Sequence, residues 1–277
     1  VKAGGELFID AAATRALLEQ VAILHQVGIR VVLVHGSGPQ STSIAEARGL
    51  EATKIEGRRV TDAATLEVCQ EAAAQITSQV AAICAELDLP AASLPYADGG
   101  TIKAVKRPPG EVDGVGPGEY GCVGDSAGIA GEASNELLTA GTVPIVSPLT
   151  ADSCGQLLNI NADTIASTLA SALDAEKLIL ATGAIGILED INEPDSLVSY
   201  IDLQGLNQLR ESGALADGML PKARAIEIAI EGGVPRVHVI SYALPDCLLL
   251  EIFTNEGTGT LVVESIEALT AAEQATA

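Results

Sequence analysis

Short runs of β-branched and aliphatic residues alternate along this chain with longer segments in which apolar residues recur at helical spacing. The short runs predict strands over residues 1–3, 29–35, 143–146, 177–181 and 236–240. The longer segments predict helices over residues 11–27, 40–48, 63–87, 204–211 and 222–231, and a further helix after Asn161. Strands and helices that alternate in this way are typical of βαβ units around a largely parallel sheet.

Residues 98–125 depart from this alternation. Glycine and proline interrupt every longer element there, at Gly99–Gly100, Pro108–Pro109, Gly114, Gly116-Pro-Gly118 and Gly121. We predict hairpins and loops over one edge of the sheet for this stretch. A boundary between two lobes is predicted near residues 174–177, which divides the chain into residues 1–174 and 175–277.

The charge balance excludes nucleic acid as a partner. The 277 residues include 37 acidic and 15 basic side chains, a formal net charge of −22 at pH 7. Duplex affinity depends on many lysine and arginine contacts to phosphate, and such residues are scarce here. The chain has no tryptophan, two phenylalanines and four tyrosines, too few to form a platform for single-stranded bases.

Hydrophobicity and cysteine usage predict a soluble, cytoplasmic protein. At 48% hydrophobic residues the chain can bury a large core, which excludes disorder. No apolar run approaches the roughly 20 residues of a membrane helix, and no secretion signal is visible. The five cysteines are scattered, without the spacing of a metal site or a disulfide framework, so we expect reduced thiols.

A glycine-rich turn, His35-Gly-Ser-Gly-Pro-Gln40, lies between a predicted buried strand and a predicted helix. Backbone N–H groups and the positive end of the helix converge at such a turn, so it can bind a phosphate or a carboxylate. The alternative is a turn without a ligand, since many α/β proteins turn on glycine. The spacing matches neither of the two common nucleotide-binding glycine motifs.

Two lysines lie at the ends of predicted elements. Lys2 is in the first strand, ahead of Gly4–Gly5, and Lys222 follows Asp217-Gly-Met-Leu-Pro221 at the start of a helix. Ligands bind at the carboxyl edge of parallel sheets, where the two lysines can flank a phosphoryl group in transfer. The alternative is that each lysine is a solvated surface charge.

Short polar side chains alternate in Asn159-Ile-Asn-Ala-Asp163, and an extended backbone would place them on one side. Such a group can hold an α-amino acid or an amide. An alternative that the spacing supports equally is a helix cap, in which Asn161 or Asp163 binds free N–H groups. Arg58–Arg59 likewise indicates either a carboxylate clamp or plain exposed surface.

Seven segments, taken in order, resemble the amino-acid kinase superfamily, and within it most closely the N-acetyl-L-glutamate kinase family of arginine biosynthesis. They are Val1-Lys-Ala-Gly-Gly5, Val34-His-Gly-Ser-Gly-Pro-Gln40, Gly57-Arg-Arg-Val-Thr-Asp62, Asn159-Ile-Asn-Ala-Asp163, Asp217-Gly-Met-Leu-Pro-Lys222, Glu231-Gly-Gly-Val-Pro-Arg-Val-His238 and Phe253-Thr-Asn-Glu-Gly-Thr-Gly-Thr260. The resemblance implies an α/β fold, a three-layer αβα sandwich with a mainly parallel central sheet. It further implies that residues 1–174 bind the amino acid and residues 175–277 bind ATP.

The reaction implied by the resemblance is an ATP-dependent phosphorylation of the side-chain carboxylate of N-acetyl-L-glutamate, which gives an acyl phosphate and ADP. Lys2 and Lys222 would neutralise charge on the moving phosphoryl group, and Asp163 would hold both ammonium groups. The implied substrate-binding residues are Ser37, Gly38, Arg59, Asn159 and Asn161. The implied nucleotide-binding residues are Gly4, Gly5, Thr182, Gly183, Gly186, Leu215 and Lys222. We expect ATP oxygens to hold Mg²⁺, and no metal site of the protein itself is predicted, because no acidic metal cluster is present.

Three residues depart from the family pattern. Ser37 replaces the middle glycine of the glycine turn and places a Cβ beside the expected substrate. Gly183, in Ala181-Thr-Gly-Ala-Ile-Gly186, stands where an acidic residue is expected, which bears on nucleotide binding. Glu6, after the glycine pair, is also atypical.

Two other interpretations stay open from the sequence. One is a kinase for another N-acylated acidic amino acid, such as an N-acyl-aminoadipate or N-succinyl-glutamate. The other is a catalytically weak, arginine-sensing regulatory subunit, similar to the kinase-like domain of acetylglutamate synthases. Gly183 favours this interpretation, whereas Lys2, Asp163 and Lys222 argue against it. Separately, the ending Phe253-Thr-Asn-Glu-Gly-Thr-Gly-Thr260 resembles that of arginine-inhibited members, which suggests feedback inhibition by arginine. Glu256 would pair with the guanidinium there. The family also suggests a homodimer or a higher homo-oligomer.

Overall fold

The computed structural model describes residues 1–51, 53–55, 58–94, 102–112, 116–118, 120–129, 131–193, 195–215, 218–254 and 257–269. The strands in these ranges are β1 (Lys2–Ala3), β2 (Leu33–His35), β3 (Lys54–Ile55), β4 (Arg58–Arg59), β5 (Ala91–Ser93), β6 (Ile102–Lys106), β7 (Gly110–Val112), β8 (Gly116–Gly118), β9 (Gly124–Ile129), β10 (Val143–Val146), β11 (Leu149–Ala151), β12 (Leu157–Asn159), β13 (Leu178–Thr182), β14 (Tyr200–Asp202), β15 (Val237–Ser241) and β16 (Thr260–Val263). The helices are α1 (Ala11–Gln26), α2 (Gly38–Ala47), α3 (Ala63–Glu86), α4 (Glu132–Thr139), α5 (Ala162–Ala172), α6 (Leu203–Glu211), α7 (Leu220–Glu231) and α8 (Cys247–Phe253).

Eight of the strands form one central sheet in the order β14-β16-β15-β13-β1-β2-β10-β5. Its neighbouring strands are parallel, apart from the antiparallel pair β15 and β16. The prediction of a mainly parallel sheet is therefore confirmed. β1 lies in the middle of the sheet, between β13 and β2, so the ends of these three strands share one edge.

Helices cover both faces of this sheet. Along β13, Leu178 and Leu180 belong to the core cluster that includes residues of α5 and α7, whereas Ile179 and Ala181 belong to the cluster with α1, α3 and α8. Side chains alternate between the faces of a strand, so a strand covered on both faces is a continuous apolar run. The three-layer αβα sandwich is confirmed.

Aspartate side chains cap the starts of the two longest helices in the described ranges. The Asp10 carboxylate accepts hydrogen bonds from the backbone N–H groups of Ala12 and Ala13 at the start of α1. Asp62 accepts one from the N–H of Thr65 at the start of α3. Each capping bond satisfies an N–H group that has no partner inside its helix.

The short elements differ from the prediction. The predicted strand over residues 29–35 is assigned only from Leu33 to His35, because β1 and β10 pair with that part alone. The apolar pattern does not predict α4, α8, β14 or β16, each of which spans eight residues or fewer. Such lengths hold too few apolar positions to establish a period.

Antiparallel hairpins form in the glycine- and proline-rich stretch, as predicted, over the part that the structure describes. β6 pairs with β9, and β7 pairs with β8. Isolated bridges tie Ala104 to Asp152 and Val123 to Asn159, so these hairpins attach beside β12. None of the helices in the described ranges is both long and apolar enough to span a membrane.

Candidate active site

A buried carboxylate joins the two predicted lysines. Lys2 Nζ lies 2.8 Å from Asp163 Oδ1, and Lys222 Nζ lies 3.5 Å from Asp163 Oδ2. The side chains of Lys2 and Asp163 are 6% and 5% exposed, whereas that of Lys222 is 20% exposed. Neither lysine is a solvated surface charge, and the structure brings all three predicted catalytic residues together.

Three elements meet to form this cluster. Lys2 lies in the central strand β1, Asp163 in the first turn of α5, and Lys222 in the first turn of α7. The Asn161 side chain caps α5 by accepting hydrogen bonds from the N–H groups of Asp163 and Thr164. The cap interpretation is therefore correct for Asn161, while the Asp163 side chain is left for the lysines.

The pKa of Asp163 is the result of two opposing effects. Burial by itself raises this pKa, but the charges and hydrogen bonds of Lys2 and Lys222 outweigh burial and hold the pKa below its usual value. Asp163 is thus a carboxylate at neutral pH, and its negative charge orients both ammonium groups.

Two glycine turns, Gly4–Gly5 after β1 and Gly36–Gly38 after β2, lie against each other beside this cluster. The Gly36 N–H donates to the Ala3 carbonyl at 2.9 Å, and the Gln40 amide donates to the Gly5 carbonyl at 2.7 Å. A Cβ on Gly5 would stand 2.7 Å from Pro39 Cδ and 3.1 Å from the Gly38 nitrogen. Glycine is required at residue 5 because the turns approach so closely.

Ser37 is the N-cap residue of α2, but its side chain makes no capping hydrogen bond. The residue is buried, and Gly38 follows it as the first residue of the helix. The start of α2 thus presents backbone N–H groups and a hydroxyl at the edge of the sheet where β1 ends. These are donors that suit an anion.

Arg59 is fixed over the start of α2. Its Nη2 donates to the Gly38 carbonyl at 3.1 Å and to Thr42 Oγ1 at 2.6 Å. Arg59 is buried, and its Nη1 has no partner among the described residues. A buried guanidinium nitrogen without a partner is costly, and a ligand carboxylate would satisfy it.

Asn159 connects the Arg59 hairpin to β12. Its amide donates to Thr61 Oγ1 at 3.2 Å, and the Thr61 hydroxyl donates to the Arg59 carbonyl at 2.9 Å. Thr61, Thr42 and Gln40 therefore position site residues, although sequence reasoning did not select them. Their types are common in loops and first helical turns, so the pattern held no signal for them.

The predicted nucleotide residues Thr182, Gly183 and Gly186 lie where β13 ends, next to the end of β1. Thr182 Oγ1 accepts from the Ala184 N–H at 2.9 Å. Gly186 has φ 153°, and a Cβ there would stand 2.8 Å from Thr260 Oγ1. Leu215 is buried in the core cluster with α6 and α7, where it contributes apolar packing.

The residues present fit a magnesium ion that arrives with its nucleotide. Among the described residues, no group of three or more acidic, histidine or cysteine side chains could hold a metal ion. Asp163 is engaged by two lysines. Mg²⁺ commonly keeps several waters and binds to one or two carboxylates plus substrate phosphates, so a dedicated cage is not needed.

Apart from the lysine cluster, a cavity of about 460 Å³ lies between α8 and the end of the sheet that β14 and β16 form. Glu251 and His238 line it and pair with each other, with side-chain exposures of 4% and 5%. Burial raises the pKa of Glu251, but hydrogen bonds from His238 and Thr258 outweigh burial and hold it below its usual value. Glu256, the predicted arginine partner, lies outside the described residues.

Comparison with known proteins decides the family. A sequence profile of the amino acid kinase family matches residues 1–241. The chain belongs to the amino acid kinase family. Among curated relatives, this family member is 41% identical over 269 residues to the acetylglutamate kinase of Myxococcus xanthus. The alignment covers 95% of this chain and 87% of that protein.

Two solved structures of one longer family relative have the same fold over this chain. One is N-acetylglutamate synthase from Neisseria gonorrhoeae with coenzyme A and N-acetyl-glutamate, at 29% identity and a TM-score of 0.82. The other is the same enzyme with coenzyme A and L-arginine, at 28% identity and a TM-score of 0.81. Each match covers 95% of this family member but only 58% and 60% of those chains.

Proposed function

We propose that this chain transfers the γ-phosphoryl group of ATP to the side-chain carboxylate of N-acetyl-L-glutamate, as a step of arginine biosynthesis. The observation that carries the proposal is the Lys2–Asp163–Lys222 cluster at the edge of the sheet, beside two glycine turns. The names of the curated relatives favour this substrate over the other N-acylated acidic amino acids and over a regulatory subunit.

The amino acid would bind on the side of α2. The unpartnered Nη1 of Arg59 would bind the α-carboxylate of the amino acid, and Asn159 would contact the amino acid beside this carboxylate. The Ser37 and Gly38 N–H groups would hold the reacting side-chain carboxylate at the start of α2. Asn161 would contribute through its cap, which fixes the first turn of α5 and therefore the position of Asp163.

The nucleotide would bind along the ends of β1 and β13. The backbone of Gly4 and Gly5 would face the phosphates, and the turn from Thr182 to Gly186 would border the nucleoside. Leu215 would contribute only an apolar contact, since it is buried. Mg²⁺ bound with the nucleotide would supply further positive charge beside the phosphate oxygens.

In the transfer step, an oxygen of the substrate carboxylate attacks the γ-phosphorus. The new O–P bond forms as the bond from the γ-phosphorus to its bridging oxygen breaks, and ADP leaves with that electron pair. The acceptor is already ionised at neutral pH, so no general base is required. Lys2 and Lys222 stabilise the charge on the phosphoryl oxygens, and Asp163 holds the two ammonium groups in place.

Acyl phosphate trapped with hydroxylamine tests the function. We expect ATP-dependent product with N-acetyl-L-glutamate and little with N-acetyl-aminoadipate, N-succinyl-glutamate or unacylated glutamate. Asp163→Asn serves as the inactive control. Turnover with a different acyl substrate alone would replace the proposed substrate, and no turnover with any of them would reject the kinase assignment.

A second proposal concerns regulation by L-arginine at the cavity that Glu251 lines. Buried Glu251 is held as a carboxylate by its low pKa, and His238 Nε2 has no partner among the described residues. A guanidinium pairs well with such a carboxylate. The related synthase structure contains L-arginine, which supports the choice of ligand.

Calorimetric titration of L-arginine tests this second proposal. We expect binding to the parent and a loss of about tenfold or more in Glu251→Gln, with Glu193→Gln, an exposed carboxylate, as the control. If arginine does not bind the parent, arginine regulation is rejected. Equal binding to the parent and Glu251→Gln would exclude Glu251 as its partner.

A further inference from the structure

Glu6 places a carboxylate over the first glycine of the pair that follows β1. Its Oε2 lies 2.6 Å from the position that a Cβ on Gly4 would take, so this carboxylate covers the backbone of Gly4. Glu6 is exposed and has no ion pair with another described side chain. Lys2 and Lys222, the cations of this region, are engaged by Asp163.

Tyr242, the residue after β15, lies near Glu6. Its hydroxyl lies 3.2 Å from the position of a Cβ on Gly183. Burial, and then the negative charge of Glu6, raise the pKa of Tyr242. Glu6, Tyr242, Gly4 and Gly183 therefore lie close together where β1 and β13 end.

This carboxylate creates an electrostatic conflict if the proposed function is correct. The phosphates of ATP would lie against Gly4, and bare phosphate oxygens beside an unpaired carboxylate repel each other. A divalent cation between the two removes the conflict, since Mg²⁺ binds carboxylate and phosphate oxygens together.

We infer that Glu6 is a ligand, directly or through a water, of the Mg²⁺ that accompanies the nucleotide, and that it makes nucleotide binding by this chain depend on the metal. The inference rests on the proposed function, because it needs the phosphates beside Gly4. It adds a residue that discriminates between metal-bound and metal-free nucleotide. Glu6 is a metal-binding residue in this scheme and has no part in holding the amino acid.

Calorimetric titration of ADP, with Mg²⁺ and with EDTA, separates the possibilities without any turnover. In the parent we expect Mg²⁺ to strengthen ADP binding strongly. In Glu6→Gln we expect the ratio of the two dissociation constants to fall by about tenfold, because metal-free ADP binds better and Mg·ADP binds worse. Glu46→Gln removes an exposed charge from the far end of α2 and should keep the parental ratio.

Each other outcome overturns a defined part of this scheme. If Glu6→Gln strengthens ADP binding equally with and without Mg²⁺, the carboxylate only repels phosphate and does not bind the metal. An unchanged ratio with unchanged affinities removes Glu6 from the site altogether. If the parent binds no adenine nucleotide under either condition, the proposed function itself fails.

A spectroscopic measurement adds a readout on the metal itself. With Mn²⁺ in place of Mg²⁺, the electron paramagnetic resonance spectrum of the ternary complex with ADP should differ between the parent and Glu6→Gln. Glu6→Asp, which keeps the carboxylate on a shorter side chain, should retain part of the parental spectrum. Identical spectra for the parent and Glu6→Gln would contradict metal binding by Glu6.

Discussion

Asp163 holds two lysines that are 220 positions apart in the sequence, one from the central strand and one from α7. The sequence alone left Asp163 with two interpretations, a helix cap or a site residue, because both use the same residue type. The structure separates them, since Asn161 caps α5 and Asp163 does not. That choice depends on side-chain rotamers, which a one-dimensional pattern does not contain.

Lys222→Ala tests the division of labour between the two lysines. Lys222 is more exposed than Lys2 and lies farther from Asp163, so its ammonium group is the more available for a ligand. We expect kcat to fall about 100-fold or more, with little change in the free energy of unfolding. Lys103→Ala, at an exposed position on β6, should keep parental kcat. Equal phosphoryl transfer in Lys222→Ala and the parent would remove Lys222 from catalysis.

His35 makes stability depend on pH. Burial lowers its pKa to about 4, and its Nε2 contacts Thr77 Oγ1 at 2.9 Å. The unfolded chain therefore takes up this proton near pH 6.5 and the folded chain only near pH 4, so stability is lost as pH falls through that window. Urea unfolding should show that His35 contributes a loss of about 2 kcal/mol between pH 7 and pH 5.

His35→Gln provides the comparison for that measurement. The variant is expected to be less stable at every pH, because it loses the edge contact with Phe8. Its loss of stability between pH 7 and pH 5 should nevertheless be smaller than that of the parent by the same amount. Parallel pH profiles for the two proteins would show that His35 does not titrate in this window.

Long helices that begin at a capping residue could be predicted accurately from the sequence, whereas short strands could not. α1 and α3 hold several turns of apolar periodicity and begin at aspartate caps, and the sequence predicts both to within one residue at either end. Two- and three-residue strands such as β4 and β12 are defined by pairing with distant partners instead. The polar residues that they position, Arg59 and Asn159, are identified from motif resemblance and not from periodicity.

Gly121 connects the glycine-rich hairpins to the substrate side of the site. It has φ 71°, and a Cβ there would stand 2.2 Å from the Thr61 carbonyl oxygen. Thr61 in turn donates to Arg59 and accepts from Asn159. Gly121→Ala should therefore destabilise the fold by about 1 to 3 kcal/mol and also raise KM for N-acetyl-L-glutamate.

Gly213→Ala is the matched control for this prediction. Gly213 has nearly the same backbone conformation, φ 77°, but a Cβ there meets nothing within 4 Å. Urea unfolding should give about 1 kcal/mol of destabilisation for Gly213→Ala, with KM unchanged. If both variants lose the same stability and keep parental KM, the close approach of Gly121 to Thr61 does not position the substrate residues.

At the scale of the whole molecule, the sequence predicts the layered architecture because alternation of strands and helices is a long-range regularity. The two lobes, residues 1–174 and 175–277, stay a prediction. One sheet runs across their boundary, since β13 pairs directly with β1. Strand order and the contact between two glycine turns depend on tertiary packing, which the order of elements along the chain does not specify.

The overall negative charge of the protein repels both proposed substrates at long range, but it has little effect on their contacts inside the site. A net charge of −22 repels ATP and N-acetyl-L-glutamate as they approach, whereas Lys2, Lys222 and Arg59 attract them within the site. Added salt screens charges separated by more than about 10 Å at 0.1 M and screens contacts of about 3 Å far less. The long-range repulsion should therefore weaken first, and kcat/KM should rise with moderate salt before it falls.

The dependence of kcat/KM on potassium chloride at fixed Mg²⁺ measures this effect. Turnover at saturating substrate is the internal control, because association no longer limits it and kcat should change less than kcat/KM. A monotonic fall of kcat/KM from the lowest salt upward would mean that attraction by the local cations already governs approach of the substrates. The acidic surface would then have no kinetic cost, because the field at the mouth of the site would be set by the lysines and Arg59 alone.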